Sequence, residues 1–397
     1  MENELQKLKD LGAYMQVEPA EEEGCNQQMQ QSGAAACTFA SADPVAEQIK
    51  DLPIHMAALP GGKRVPMLKT MLTSACERNC HYCAFRSQRD FRRQTFKPEE
   101  MARTFMSIYE KGLAQGIFLS SGVAGGGIRT QDRLLATAEL LRTKYQFKGY
   151  LHLKLMPGSE REQVFQAMRF SDRVSINLEA PNNQRLGALA PEKIFLNELL
   201  QPLRWVEEIR KNEPASQGWN GRWSSSTTQF VVGGGDESDL ELLATSAYLM
   251  RRLGLGRVYY SGFRPVEGTP LENRSAINPW RAQRLYQASF LLRDYGFDTE
   301  ELPFIGEGNL PLDMDPKLAW AKSNLFDTPV DLNQADYRQL LRVPGIGPLS
   351  ARRIIATRRR EPLKQLDDLK RLGIVSGRAA PYILLMGRHF PSQMSLW

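Results

Sequence analysis

The sequence predicts an α/β protein: a parallel sheet built from six strand–helix units, with a small all-helical domain at the C-terminus. Two observations carry the first half of that reading. Short apolar runs alternate with longer helical patterns from about residue 67 to residue 295. Such βα alternation gives a parallel sheet with crossover helices, and six units are too few to close an eight-fold barrel. A third observation carries the second half. Residues 329–360 read as two short helices around the turn Pro344-Gly345-Ile346-Gly347, and the charge gathers there. From residue 329 onward there are twelve Lys and Arg against five Asp and Glu, whereas the whole chain is only +6. That local basicity points to an anionic partner.

Composition sets the class. With 42% apolar and 24% charged residues in 397, the chain reads as globular. No run approaches the roughly 20 apolar residues that span a bilayer. The start, MENELQKLKD, lacks the apolar stretch of a signal peptide. No membrane association is expected, and the expected location is cytoplasmic, where thiols stay reduced.

In chain order, residues 1–50 read as a short helix and a flexible arm. Cys25 and Cys37 lie there and are read as ordinary thiols, since two cysteines are too few for a usual cluster site. Strands are expected at 67–74, 116–121, 149–156, 173–179, 226–232 and 257–263. Helices are expected at 98–114, 131–145, 160–170, 192–212, 237–253 and 280–295. The first of these helices has Pro98, Glu99 and Glu100 in its opening turn, as helix starts favour. Residues 51–300 would form the barrel-like domain, 301–328 a Pro- and Gly-containing linker, and 329–390 the helical domain.

The chemistry concentrates behind the first long strand, in Cys76-Glu77-Arg78-Asn79-Cys80-His81-Tyr82-Cys83. Thiolates are soft ligands that favour iron–sulfur clusters or zinc. A [4Fe–4S] cluster normally takes four cysteines, so three local ones leave one iron open to a small molecule. A zinc knot with His81 as fourth ligand is the competing reading, but structural zinc prefers two separated ligand pairs. Five cysteines in a chain of this length make no disulfide scaffold.

The C-x3-C-x2-C spacing with Tyr82 before the last cysteine resembles the signature of the radical S-adenosylmethionine (SAM) superfamily. The resemblance implies a partial (β/α)6 TIM-like barrel, one [4Fe–4S] cluster held by Cys76, Cys80 and Cys83, and SAM on the open iron. It implies reductive cleavage of SAM to a 5′-deoxyadenosyl radical, with electrons from a flavodoxin or ferredoxin. It also implies cofactor contacts from Tyr82, from Ser121 and Gly122 after strand two, from Ser175, Asn177 and Glu179 on strand four, and from Val266 after strand six. Many relatives carry Gly-Gly-Glu after strand two, where this chain has Ser-Ser-Gly-Val and glycines. His152, Lys154, Tyr260 and Arg264 are candidate substrate-lining residues. Arg86, Arg89, Arg92 and Arg93 form either a solvated loop or a phosphate clamp.

The segment from Pro329 resembles the helix-hairpin-helix module, with a looser second copy: Leu366 to Leu372 and Arg378 to Met386 as helices around the turn Gly373-Ile374-Val375-Ser376-Gly377. In it, Gly345, Ile346 and Gly347 would present amides to a DNA phosphate, with Arg352 and Arg353 adding charge. Such contacts hold a duplex without reading its sequence. Together the two modules resemble radical SAM proteins described as DNA modification or repair enzymes and associated with a uracil-DNA-glycosylase-like protein. Two other readings stay open at this point. One is modification of RNA or a small molecule. The other is a nucleic-acid- or protein-binding scaffold with a structural metal.

Overall fold

The computed structural model describes residues 2–15, 52–58 and 64–390. Cys25, Cys37 and most of the expected arm lie outside them. The chain divides into two compact units. One is residues 1–237 with 248–279, and the other is residues 238–247 with 280–397.

The first unit holds a seven-stranded sheet in simple sequence order: β1 (Ile54–Ala58), β2 (Arg64–Met71), β3 (Gly116–Ser120), β4 (Tyr150–Lys154), β5 (Arg173–Ser175), β6 (Ser225–Val232) and β7 (Arg257–Gly262). All pairings from β2 to β7 are parallel. All six expected strands are present, as the curled half-barrel the alternation predicts. The added β1 pairs antiparallel with β2, with Ile54 opposite Leu68. Its five residues, Ile-His-Met-Ala-Ala, are too short to announce a strand by pattern. The inner strands are buried on both faces, as crossover helices require: Leu68, Ile117, Leu119, Leu151, Leu153 and Val174 are fully enclosed.

The helices follow from their caps. Pro98–Glu110 begins with the expected Pro, and its Glu100 carboxylate accepts the Lys97 amide at 3.2 Å. Asn183–Leu189 was not expected. Its signal was Asn182, whose side-chain oxygen accepts the Arg185 amide at 3.0 Å. The single helix expected at 192–212 is a wide π turn, Phe195–Leu200, running into the α-helix Gln201–Asn212. Pro202 sits at that junction and has no amide to donate, so the bonding pattern changes there.

The second unit contains the helices Pro279–Asp294 and Pro316–Asn324 and then two helical hairpins. The first hairpin pairs Tyr337–Arg342 with Pro348–Arg358, and the second pairs Leu366–Arg371 with Ser376–Ala379. Leu332, Leu340, Val343, Ala351, Ile354, Leu369, Ile383 and Leu385 form its core. Two expectations are corrected here. The stretch 301–328 is not a bare linker: it holds a helix, and Ala321 and Leu325 belong to the core of the hairpins. The last helix, expected over 378–386, stops early because Pro381 follows, and Ile383–Leu385 joins a small three-stranded sheet instead.

Candidate active site

The cysteine loop leaves the sheet behind β2, at the C-terminal ends of the parallel strands, where such folds place their chemistry. Backbone and arginines hold it. The His81 amide donates to Leu189 O at 2.7 Å and the Glu77 amide to Val123 O at 2.8 Å. The Arg78 guanidinium reaches Glu192 O at 2.6 Å and the Glu198 carboxylate at 2.7 Å. Arg93 donates to four carbonyls, those of Ser74, Phe85, Arg86 and Arg89, at 2.7–3.0 Å. Its face lies 3.8 Å from the Phe91 ring. Arg89 donates to Ala84 O at 2.6 Å. Two members of the arginine run therefore brace the loop from within, which corrects both the solvated-loop and the phosphate-clamp readings for them.

One glycine is required by space. A Cβ on Gly122 would fall 2.3 Å from Ala75 O and 3.2 Å from the Cys76 Cβ, so the segment after β3 packs backbone-to-backbone on the cysteine loop. The next turn is tied to the same loop: the Glu77 carboxylate accepts the amides of Gly125 and Gly126 at 3.0–3.2 Å. The amides of the glycine run thus serve Glu77.

No disulfide joins Cys76, Cys80 and Cys83. They line one cavity with Tyr82, Ser120, Ser121, Gly122, Lys154, Asn177, Glu179 and Lys193. Of the residues expected there, the fold brings together the three cysteines, Tyr82, Ser121, Gly122, Lys154, Asn177 and Glu179. It does not bring Ser175, His152, Tyr260, Val266 or Arg264. Ser175 was assigned to the same strand face as Asn177, but its hydroxyl bonds His152 Nε2 at 2.8 Å and both residues are fully enclosed. The regular strand ends at Ser175, and by Glu179 the backbone has φ +65°, so strict alternation no longer decides where side chains point. Tyr260 is buried, and Arg264 is exposed.

Lys193 was missed by sequence reasoning. It follows the unpredicted Asn183–Leu189 helix and reaches the cavity only through the fold. Its Nζ lies 2.9 Å from Glu179 Oε1, and both side chains are nearly enclosed. Burial disfavours its charge, but the Cys80 thiolate and the Glu179 carboxylate outweigh burial and push its pKa up. Burial raises the Cys80 thiol, with Lys193 opposing it. Burial and then Glu179 hold the Tyr82 hydroxyl well above its ordinary value. A buried ammonium is therefore paired with Glu179 beside Cys80 and Cys83.

The donor set fits an iron–sulfur cubane better than one zinc ion. His81 Nδ1 is engaged with Ala188 O at 2.9 Å. Among the described residues no three Cys, His, Asp or Glu converge as on a single ion. A cubane asks for no such convergence, because each thiolate takes a different iron. Glu179 Oε2 is buried without a hydrogen-bond partner in the chain, an acceptor left for a bound group. Asn177 is held by Lys154 Nζ at 2.5 Å and lines the same cavity.

In the second unit, Gly345, Ile346 and Gly347 lie together beside the second hairpin. Gly345 has φ +83°, and a Cβ on it would be 3.1 Å from Val375 O, so both conformation and space demand glycine. Ile346 is buried and belongs to the core. Arg352 is exposed, whereas Arg353 donates to Leu372 O at 3.1 Å and joins the two hairpins.

Residues 70–245 match the family model of the radical SAM superfamily, and residues 326–374 match that of the helix-hairpin-helix motif. No curated protein sequence matches the chain. Solved structures that match the chain include a methylornithine synthase, at 15% identity and TM-score 0.46 over 57% of this chain and 61% of that one. The hydrogenase maturase HydG from Carboxydothermus hydrogenoformans matches at 17% and 0.46, over 57% and 51%. A radical SAM methyltransferase from Sphaerobacter thermophilus matches at 14% and 0.43, over 72% and 85%. The chain thus spans about half to three-fifths of the length of the first two. The family match falls on the same residues as the parallel sheet and the three-thiol cavity, and residues 70–245 accordingly carry a domain of the radical SAM superfamily, whose members work with a [4Fe–4S] cluster and SAM.

Proposed function

We propose that this enzyme uses its SAM-derived radical on DNA, with the helix-hairpin-helix unit holding the duplex by its backbone. The observation that carries the reading is the pairing, in one chain, of a radical SAM domain with a basic helix-hairpin-helix segment. In the proposed site, Cys76, Cys80 and Cys83 would hold the cluster. SAM and the reduced cluster together would supply a carbon-centred radical. The chain's own part is to position and enclose. Asn177 and the free oxygen of Glu179 offer polar contacts to SAM. Lys193 offsets thiolate charge, and the apolar wall of Leu155, Met156 and Ile176 keeps water out. The electron donor in this reading is a flavodoxin or ferredoxin.

Phosphate neutralisation accounts for the basic segment. Binding should then weaken steeply with salt and depend little on sequence. The test is fluorescence anisotropy of labelled duplexes with the full-length protein, alongside anaerobic assays for 5′-deoxyadenosine with and without DNA. Salt-sensitive binding together with DNA-stimulated cleavage of SAM would support the proposal. Salt-independent binding, or none, would reject the role given to the hairpins.

A further inference from the structure

We propose that the cavity beside the Gly345–Gly347 turn is a carbonyl site in which the Lys317 amine condenses with the open-chain aldehyde of an abasic deoxyribose in a duplex. This rests on the reading that the unit binds DNA. The cavity measures ≈ 300 Å³, within the range of small-ligand pockets, and is lined by Tyr295, Asp315, Lys317, Gly345, Gly347 and Arg378, all within the second unit. Lys317 comes from the helix Pro316–Asn324 and is more than nine-tenths buried.

Its surroundings are unusual for a lysine. Nζ donates to Ile346 O at 2.5 Å and stands 4.6 Å from the centre of the Tyr295 ring. The carboxylate in the cavity wall, Asp315, is engaged by the Arg378 guanidinium and by the Leu318 amide. A carbonyl accepts from an amine as well as from an ammonium, so the hydrogen bond does not require the charged form. The charged groups acting on Lys317 are Asp315, Arg378 and Arg342. Burial first, opposed by Asp315 and reinforced by the two guanidiniums, lowers its pKa to about 7. A large share of the amine is then neutral at neutral pH, with its lone pair available.

A desolvated, neutral lysine is a nucleophile toward carbonyls. A duplex backbone presents an aldehyde only where a base is missing and the sugar ring opens. In the step proposed, the Nζ lone pair adds to C1′, a C–N bond forms and the carbonyl oxygen takes a proton. The adduct then loses that oxygen as water, leaving a C=N bond, with the protons exchanged through solvent water. No oxidant or reductant is consumed.

The experiment mixes full-length protein with a labelled duplex carrying one abasic position, reduces with borohydride, and maps any adduct by mass spectrometry. Anisotropy with an intact duplex is measured alongside. The expected result is a covalent adduct on Lys317, lost in Lys317→Arg and absent with a tetrahydrofuran analogue that has no aldehyde. Duplex binding without an adduct, or an adduct on another lysine, overturns the proposal and leaves the DNA reading standing. Failure to bind any duplex overturns both. Should Lys317→Arg not fold, mapping on the wild-type protein decides alone.

Discussion

At the scale of single residues, the cavity separates side chains that carry chemistry from those that only fill space. Cys76, Cys80 and Cys83 share its wall, and in the proposed site each would take a separate iron. Replacing any one by Ala should abolish cluster content, read as iron and sulfide per chain and as loss of the visible absorption. Asn177 and Ser175 make a sharper pair. Asn177 lines the cavity, whereas Ser175 is committed to His152. Asn177→Ala should therefore weaken SAM binding by about 1 kcal/mol, roughly fivefold, with iron content unchanged. Ser175→Ala should leave SAM affinity alone and lower stability instead. Equal affinities for the two variants by calorimetry would reject this assignment. The cysteines and Tyr82 were legible in the sequence because ligand spacing is local. Ser175 was misplaced because a two-residue alternation was extended past the end of the paired strand. Lys193 was invisible because it lies more than a hundred residues from the cysteines and meets them only in the fold.

A second residue-scale expectation concerns pH. The Lys317 pKa falls from 10.5 to about 7 on folding, so between those values the unfolded chain holds a proton that the folded chain does not. The state that binds more protons loses ground as pH rises, so stability should increase from pH 7 toward pH 10, by at most about 1.4 kcal/mol per pH unit. Below about pH 7 this contribution is flat. Lys317→Met should remove the rise, which melting curves at pH 7 and pH 9 would reveal. A wild-type melt that does not climb relative to the variant would sink the assignment.

At the scale of elements, the contact between the cysteine loop and the segment after β3 leaves no room for a side chain. Gly122→Ala would press a methyl against Ala75 O at 2.3 Å. Overpacking of this kind costs about 1–3 kcal/mol, and the loop is where the shift must be absorbed. The expected outcome is a lower melting temperature together with poorer iron uptake on reconstitution. Unchanged iron uptake would show that the joint does not shape the loop. The six parallel strands and most helices were readable from hydrophobic periodicity, because crossover topology enforces it over many residues. What escaped were the elements governed by partners rather than pattern. β1 exists because β2 offers an edge, and the π turn exists because Pro202 interrupts the bonding. The hairpin turns were readable because glycine at Gly345 is fixed by φ and by space at once.

At the scale of the whole molecule, the second unit draws on residues 238–247 as well as 280–397. Cutting the chain at residue 328 would strip Ala321 and Leu325 of the core they share with the hairpins. Point variants of the intact chain are therefore the sound test of DNA binding. Arg352→Ala should lower the log–log salt slope by about 0.9 if that exposed guanidinium neutralises one phosphate. Arg353→Ala should act on stability, since its side chain bridges the hairpins. A slope unmoved by Arg352→Ala would place the phosphate contacts elsewhere.

The arginine that gathers four carbonyls has a consequence for the life of the enzyme in air. Zinc fingers collapse when stripped, because the metal is what gives them shape. Here Arg93 and the backbone bonds to Leu189 and Val123 tie the cysteine loop to the chain's own groups. Cluster delivery is then a docking event into a finished receptacle, and oxidative loss strips cargo without demolishing the berth. A molecule bleached by oxygen should be refillable by iron and sulfide alone, with no refolding step.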